Sequence, residues 1–114
     1  MSDAEILVVC LCAQWCGVCR EYAATFAQVG ERMMPARFVW VDVEDDSDVV
    51  DPIEVDNFPT ILIAVGDEPR FFGVLTPQAQ LLERMVRECT VGGDAALAAR
   101  ADLRALTQRI RAMD

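Results

Sequence analysis

Ala13-Gln14-Trp15-Cys16-Gly17-Val18-Cys19 is the stretch on which the fold turns. Upstream of it, Ile6-Leu7-Val8-Val9-Cys10-Leu11-Cys12 is a continuous apolar run, partly β-branched, that reads as a strand buried on both faces. Cys10 and Cys12 fall on one face of that strand. Downstream, Tyr22, Phe26, Val29 and Met33 recur at spacings of four, three and four, which predicts a helix with one buried stripe ended near Pro35. The C-x-x-C pair therefore sits where strand gives way to helix. Cys16 falls at the helix N-terminus, where unpaired N–H groups and the macrodipole favour a thiolate, and Cys19 lies one turn deeper. So placed, the two can close a small disulfide, Cys16 as the attacking sulfur and Cys19 as the resolving one. Two other uses of the spacing stay open on the residues alone: half of a zinc site, or two buried thiols packed as small hydrophobes.

Composition narrows the function classes. A chain of 114 residues that is 54% apolar can bury one ordinary core. The formal charge of −9 repels phosphate backbones and anionic membranes, so nucleic acid and membrane are not expected partners. Histidine is absent, which removes Ser-His and Cys-His catalysis, and all ten basic residues are arginine, which removes Schiff-base lysine chemistry. Five cysteines, at 10, 12, 16, 19 and 89, are an odd number that suits reduced thiols plus one reactive pair. Met1-Ser2-Asp3-Ala4-Glu5 is acidic where a secretory signal is basic, and Ile6 to Ala13 is short for a membrane span; the expected compartment is the cytoplasm.

Beyond the first helix, Arg37-Phe38-Val39-Trp40-Val41-Asp42-Val43 reads as a second strand, parallel to the first through a right-handed crossover. The acidic stretch Asp42 to Asp51 lacks the Gly and Glu of a calcium loop, carrying Ser47 and Ile53 there, and reads as a solvated loop leading into a short helix near Pro52. Phe58-Pro59-Thr60 opens a third strand to Val65, Gly66-Asp67-Glu68-Pro69 turns the chain, and Arg70 to Val74 returns antiparallel. Thr76-Pro77 reads as a helix start with Thr76 as N-cap; Leu81, Leu82, Met85, Val86 and Cys89 form its buried stripe, and Gly92-Gly93 ends it. Asp94 then caps a last helix whose seam is Ala99, Leu103, Leu106, Ile110 and Met113. That helix either packs on its own domain or pairs two copies into a homodimer.

The order β-α-β-α-β-β-α, with Trp15-Cys16-Gly17-Val18-Cys19 after the first strand and Phe58-Pro59-Thr60 opening the third, resembles the thioredoxin family from about Ile6 to Glu88. The resemblance implies an α/β thioredoxin-like fold: a central mixed sheet of about four strands flanked by helices. Residues 1–91 would form the domain and 92–114 a helical extension. It further implies a thiol-disulfide oxidoreductase, a protein-disulfide reductase in which Cys16 and Cys19 are catalytic and no cofactor is needed. Its partners would be proteins carrying disulfides and an upstream reductase or dithiol donor. By the same resemblance the Phe58-Pro59 bond is cis, and Trp15, Gly17, Val18, Phe58, Pro59 and Gly73 frame an apolar groove for the substrate backbone beside Cys16.

Four departures from the family pattern stand out. Only about five residues precede the first strand, so the family's opening strand and helix are missing, and the helix after Asp94 is a candidate to cover the exposed side. Val18 replaces the proline between the cysteines, which alters the redox poise. Cys10 stands where the family keeps a buried aspartate and Trp40 where it keeps a lysine; a thiol is a poorer base than a carboxylate at neutral pH. Cys12 takes an aromatic position, so Cys10, Cys12, Cys16 and Cys19 converge. Two neutral thiols filling space beside the pair is the expected arrangement, with a four-thiolate metal site or a relay of disulfides as alternatives. A binding or assembly module that keeps the fold and relaxes the chemistry is a further one.

Overall fold

A computed structural model describes residues 5–51 and 53–113 of the chain. The readings of Met1 to Ala4 and of Pro52 lie outside these residues. The apolar run before the cysteine pair forms β1 (Ile6–Cys12), and from Leu7 onward every residue in it is buried. It is an interior strand. On one side it pairs in parallel with β2 (Arg37–Asp42), reached through α1 (Gly17–Arg32), and on the other antiparallel with β3 (Thr60–Val65). β3 pairs antiparallel with β4 (Glu68–Val74), giving the order β2-β1-β3-β4. The turn between the last two strands is tighter than the sequence suggested. Gly66 takes a φ of 62°, open to glycine at no steric cost, so β4 starts at Glu68 instead of Arg70.

Strand alternation divides the core in two. Val8, Cys10 and Cys12 of β1 face α1 and α3 (Ala79–Val91), and pack with Tyr22, Phe26, Val29, Leu82, Val86 and Cys89. Leu7, Val9 and Leu11 face the other way, against Leu62, Ala64 and the short α2 (Ser47–Val50). That second face is closed by the C-terminal segment, whose Leu103, Leu106 and Ile110 are fully buried. Arginines fasten it down. Arg109 donates to the carbonyls of Val49 (2.7 Å) and Asp51 (2.9 Å), Arg111 to those of Gly66 and Glu5, and Arg37 to that of Met113 (2.7 Å).

Two helix starts differ from the sequence reading. Thr76 does not cap α3. The N–H of Gln78 is drawn to the Thr76 carbonyl (2.7 Å), which delays the first turn by two residues, and Gln78 occupies the N-cap position. The segment after Asp94 is two helices, not one. Asp94 caps α4 (Ala95–Ala98) through the N–H of Ala96 (2.8 Å), the chain extends at Arg100, and α5 (Ala101–Arg111) follows. Ala99 consequently lies exposed, and Leu97 packs on the second face in its stead. No helix among the described residues is long and apolar enough to cross a membrane.

Candidate active site

The site is built where β1 ends. After Cys12 and the buried Ala13, Gln14 and Trp15 make a turn closed by the N–H of Cys16, which donates to the Ala13 carbonyl (3.1 Å). Cys16 is the N-cap of α1, with extended φ and ψ of −83° and 119°, and the residue is partly exposed. Gly17 and Val18 are on the surface. Cys19, one turn on, belongs to the buried stripe with Tyr22, Phe26 and Val29 and is only 1% exposed. Arg20 locks the turn from outside, donating to the Gln14 carbonyl (2.8 Å).

The sulfurs are paired otherwise than expected. Cys19 is bonded to Cys12, not to Cys16, across a Cα–Cα distance of 5.8 Å, and Cys10, Cys16 and Cys89 are free. The expectation that Cys12 is a neutral thiol filling space is corrected by the same bond. The reason is directional: Cys12 points from the sheet into the first core, and Cys19 points into that core from the first turn of α1. Cys16, at the N-cap, lies at the edge of that core and is partly exposed. Cys10 lies behind the bridge, its thiol donating to the Cys12 sulfur at 3.6 Å. Burial pushes the Cys10 thiol above its ordinary range, which keeps it protonated and able to donate. Tyr22, whose buried hydroxyl has no hydrogen-bond partner among the described residues, is pushed the same way by burial and then by Cys10.

Pro59 arrives from β3. The Phe58-Pro59 bond is cis, Pro59 is buried, and the Leu11–Thr60 pairing sets it beside the end of β1 that carries Cys12. Phe58 meets Trp15 edge-on, with ring centroids 5.7 Å apart, and so joins the proline turn to the cysteine turn. Trp15 is 63% exposed, and its indole N–H donates to Glu44 (2.9 Å). Gly73 and Val74 of β4 lie at the same end of the sheet, Val74 paired with Thr60. Trp40 stands on β2, beside Cys10. It pairs with Cys10 in register, packs edge-on against Phe26 at 5.7 Å, and lines an open apolar hollow of about 490 Å³ farther along α1.

Nothing in the sequence marks Glu44 or Asp42 as neighbours of the cysteine turn. Asp42 accepts from the N–H groups of Glu44 (2.9 Å) and Asp45 (3.0 Å), which shapes the loop that presents Glu44 to Trp15. Only the acidic run itself hinted at them, and solvation explained that run equally well.

The family model for Thioredoxin matches residues 1–87. The chain belongs to the thioredoxin family. Among its relatives, Thioredoxin-2 of Saccharomyces cerevisiae is 34% identical over 65 residues, which is 57% of this chain and 62% of the yeast protein. Thioredoxin Asp f 28 of Aspergillus fumigatus is 28% identical over 87 residues, covering 76% of this chain and 81% of that one. The match to Thioredoxin H-type 2 of Nicotiana tabacum, 31% identical over 54% of this chain, spans about half of its length, 52%. Chloroplastic thioredoxin z superposes with a TM-score of 0.64 at 27% identity, over 79% of this chain and 82% of its own. Fasciola hepatica thioredoxin gives 0.68 at 21% identity, over 75% and 82%. Thioredoxins act on protein disulfides and receive reducing equivalents from a reductase.

Proposed function

We propose that this thioredoxin-family chain is a thiol-disulfide oxidoreductase in which Cys16 attacks and Cys19 resolves. One observation carries the assignment: of the cysteines at this end of the sheet, Cys16 is the partly exposed one, and it lies at a helix N-cap with Cys19 buried one turn beneath. The Cys16 thiolate attacks one sulfur of a substrate disulfide, and the other leaves as a thiolate. Cys19 then attacks the Cys16 sulfur, releases the second substrate thiolate, and leaves a Cys16–Cys19 bridge. A dithiol donor or an upstream reductase restores both thiols.

The substrates are proteins with accessible disulfides. Trp15, Gly17, Val18, Phe58, Pro59 and Gly73 form the groove that receives the chain flanking the disulfide, and the exposed Trp15 and Val18 give it an apolar rim. The compartment is the cytoplasm, where reduced thiols are maintained. Insulin reduction with dithiothreitol as donor tests the assignment. Cys16→Ser should lose at least about a hundredfold of the rate, the scale for removing a nucleophile, and Cys19→Ser should accumulate mixed disulfides with its substrate. A Cys16→Ser protein that still reduces insulin overturns it.

A further inference from the structure

Cys19 has two neighbours that can hold it. Cys16 lies three residues upstream at the helix N-cap, and Cys12 ends β1 and is the sulfur to which Cys19 is bonded. Exchange through Cys16 and Cys19 leaves Cys12 unused. We propose that Cys12 is a third redox residue, which takes Cys19 over from Cys16, so that the oxidised protein rests with an inner Cys12–Cys19 bridge and a free Cys16 thiol at the surface. This rests on the reading of Cys16 and Cys19 as the exchanging pair.

The step needs no oxidant. Starting from the Cys16–Cys19 bridge, the Cys12 thiolate attacks the Cys19 sulfur; the Cys12–Cys19 bond forms as the Cys16–Cys19 bond breaks, and Cys16 departs with the electron pair. Cys12 gives up one proton and Cys16 takes up one, and one disulfide is present before and after. Two features favour this direction and one the rate. Cys12 and Cys19 face each other inside one core, both 1% exposed, at a Cα separation ordinary for a bridge. Cys10 presents a thiol 3.6 Å from the Cys12 sulfur, a donor placed to keep more of Cys12 as the attacking thiolate and so to speed the exchange in both directions. Cys16, in contact with solvent, is where departing negative charge is best accommodated.

Reduction then has one route. An external thiol cannot reach sulfurs that are 1% exposed, so the inner bridge is opened by Cys16 in the reverse of the same exchange. Cys10 acts through Cys12 and is a positioning residue.

All four sulfurs lie before Arg20, so trypsin cannot tell the bridges apart, whereas chymotryptic cleavage after Trp15 separates Cys10 and Cys12 from Cys16 and Cys19. The full chain is oxidised by insulin disulfides, quenched in acid, alkylated with iodoacetamide and cleaved. The two peptides should stay joined until reduced, with the alkyl group on Cys16 and the joined form in about tenfold excess over the outer bridge. In Cys10→Ser they should remain joined, which excludes a Cys10–Cys19 link. In Cys12→Ala, which adds no polar atom to the core, they should separate with Cys16 no longer alkylated. Wild type that reduces insulin yet yields separate peptides bridged at Cys16–Cys19 overturns the relay and leaves the exchange reading standing. Wild type that does not reduce insulin overturns both.

Discussion

Asp42 shows how much one side chain can do at a strand end. Its carboxylate accepts from the N–H groups of Asp45 and Glu44, and these bonds hold its pKa below the ordinary carboxylate range. A folded-state pKa that is depressed adds stability that is fully present above the unfolded value and is lost as pH falls through the folded one. Asp42→Ala should therefore cost about 1 kcal/mol at neutral pH, the scale for a side chain capping backbone N–H groups. The gap to wild type should close as pH drops below about 4. Urea midpoints for both proteins at pH 7 and pH 3 check it, and a gap that stays constant between them refutes it. Sequence made some of these residues plain and hid others for a physical reason. The spacing of Cys16 and Cys19 and the apolar run before them placed both sulfurs, and strand alternation put Cys10 and Cys12 on one face. The Cys12–Cys19 bond depends instead on how closely a strand end approaches the first helical turn, which a separation of seven residues does not encode.

Among the elements, α5 shows where periodicity works and where it fails. Leu103, Leu106 and Ile110 recur at helical spacing, and all three are buried against β1 and β3. The same pattern extended backward to Ala99 ran through a break, because Arg100 is extended and pairs with Asp102 (2.7 Å) to start a new helix. A helix held mainly by its buried stripe is sensitive to truncation of that stripe. Leu106→Ala should cost about 2–5 kcal/mol, the range for removing a fully buried leucine side chain. An exposed neighbour on the same helix, Gln108→Ala, should change stability by less than about 0.5 kcal/mol. Denaturant unfolding of the two variants checks the contrast, and equal midpoints would show that α5 does not carry the second core.

In the molecule as a whole, a four-stranded sheet has two faces to bury and the family-like part of the chain supplies helices mainly to one. α1 and α3 cover the face that carries the sulfurs, and the other face of β1 and β3 is left to α2 and the segment after Gly93. The order of elements and the mixed sheet were legible because strands and helices alternate with clean turn signals. How the last helix is used was not, since the same apolar seam suits its own sheet or a second copy equally well. Its three fully buried side chains and the arginine bonds to Val49, Asp51 and Gly66 tie it to its own sheet. Removing residues after Gly93 would uncover Leu7, Val9, Leu11, Leu62 and Ala64 and lose the burial of those three side chains, on the order of 5–9 kcal/mol from the side chains alone. That is comparable with the whole stability of an ordinary domain, 5–15 kcal/mol. A chain ended at Gly93 should therefore show no cooperative urea transition and should bind a hydrophobic dye such as ANS, although the cysteine turn itself is complete. If that chain instead unfolds cooperatively at the wild-type midpoint, the C-terminal helix is an appendage and the two-faced core does not hold the active site in place.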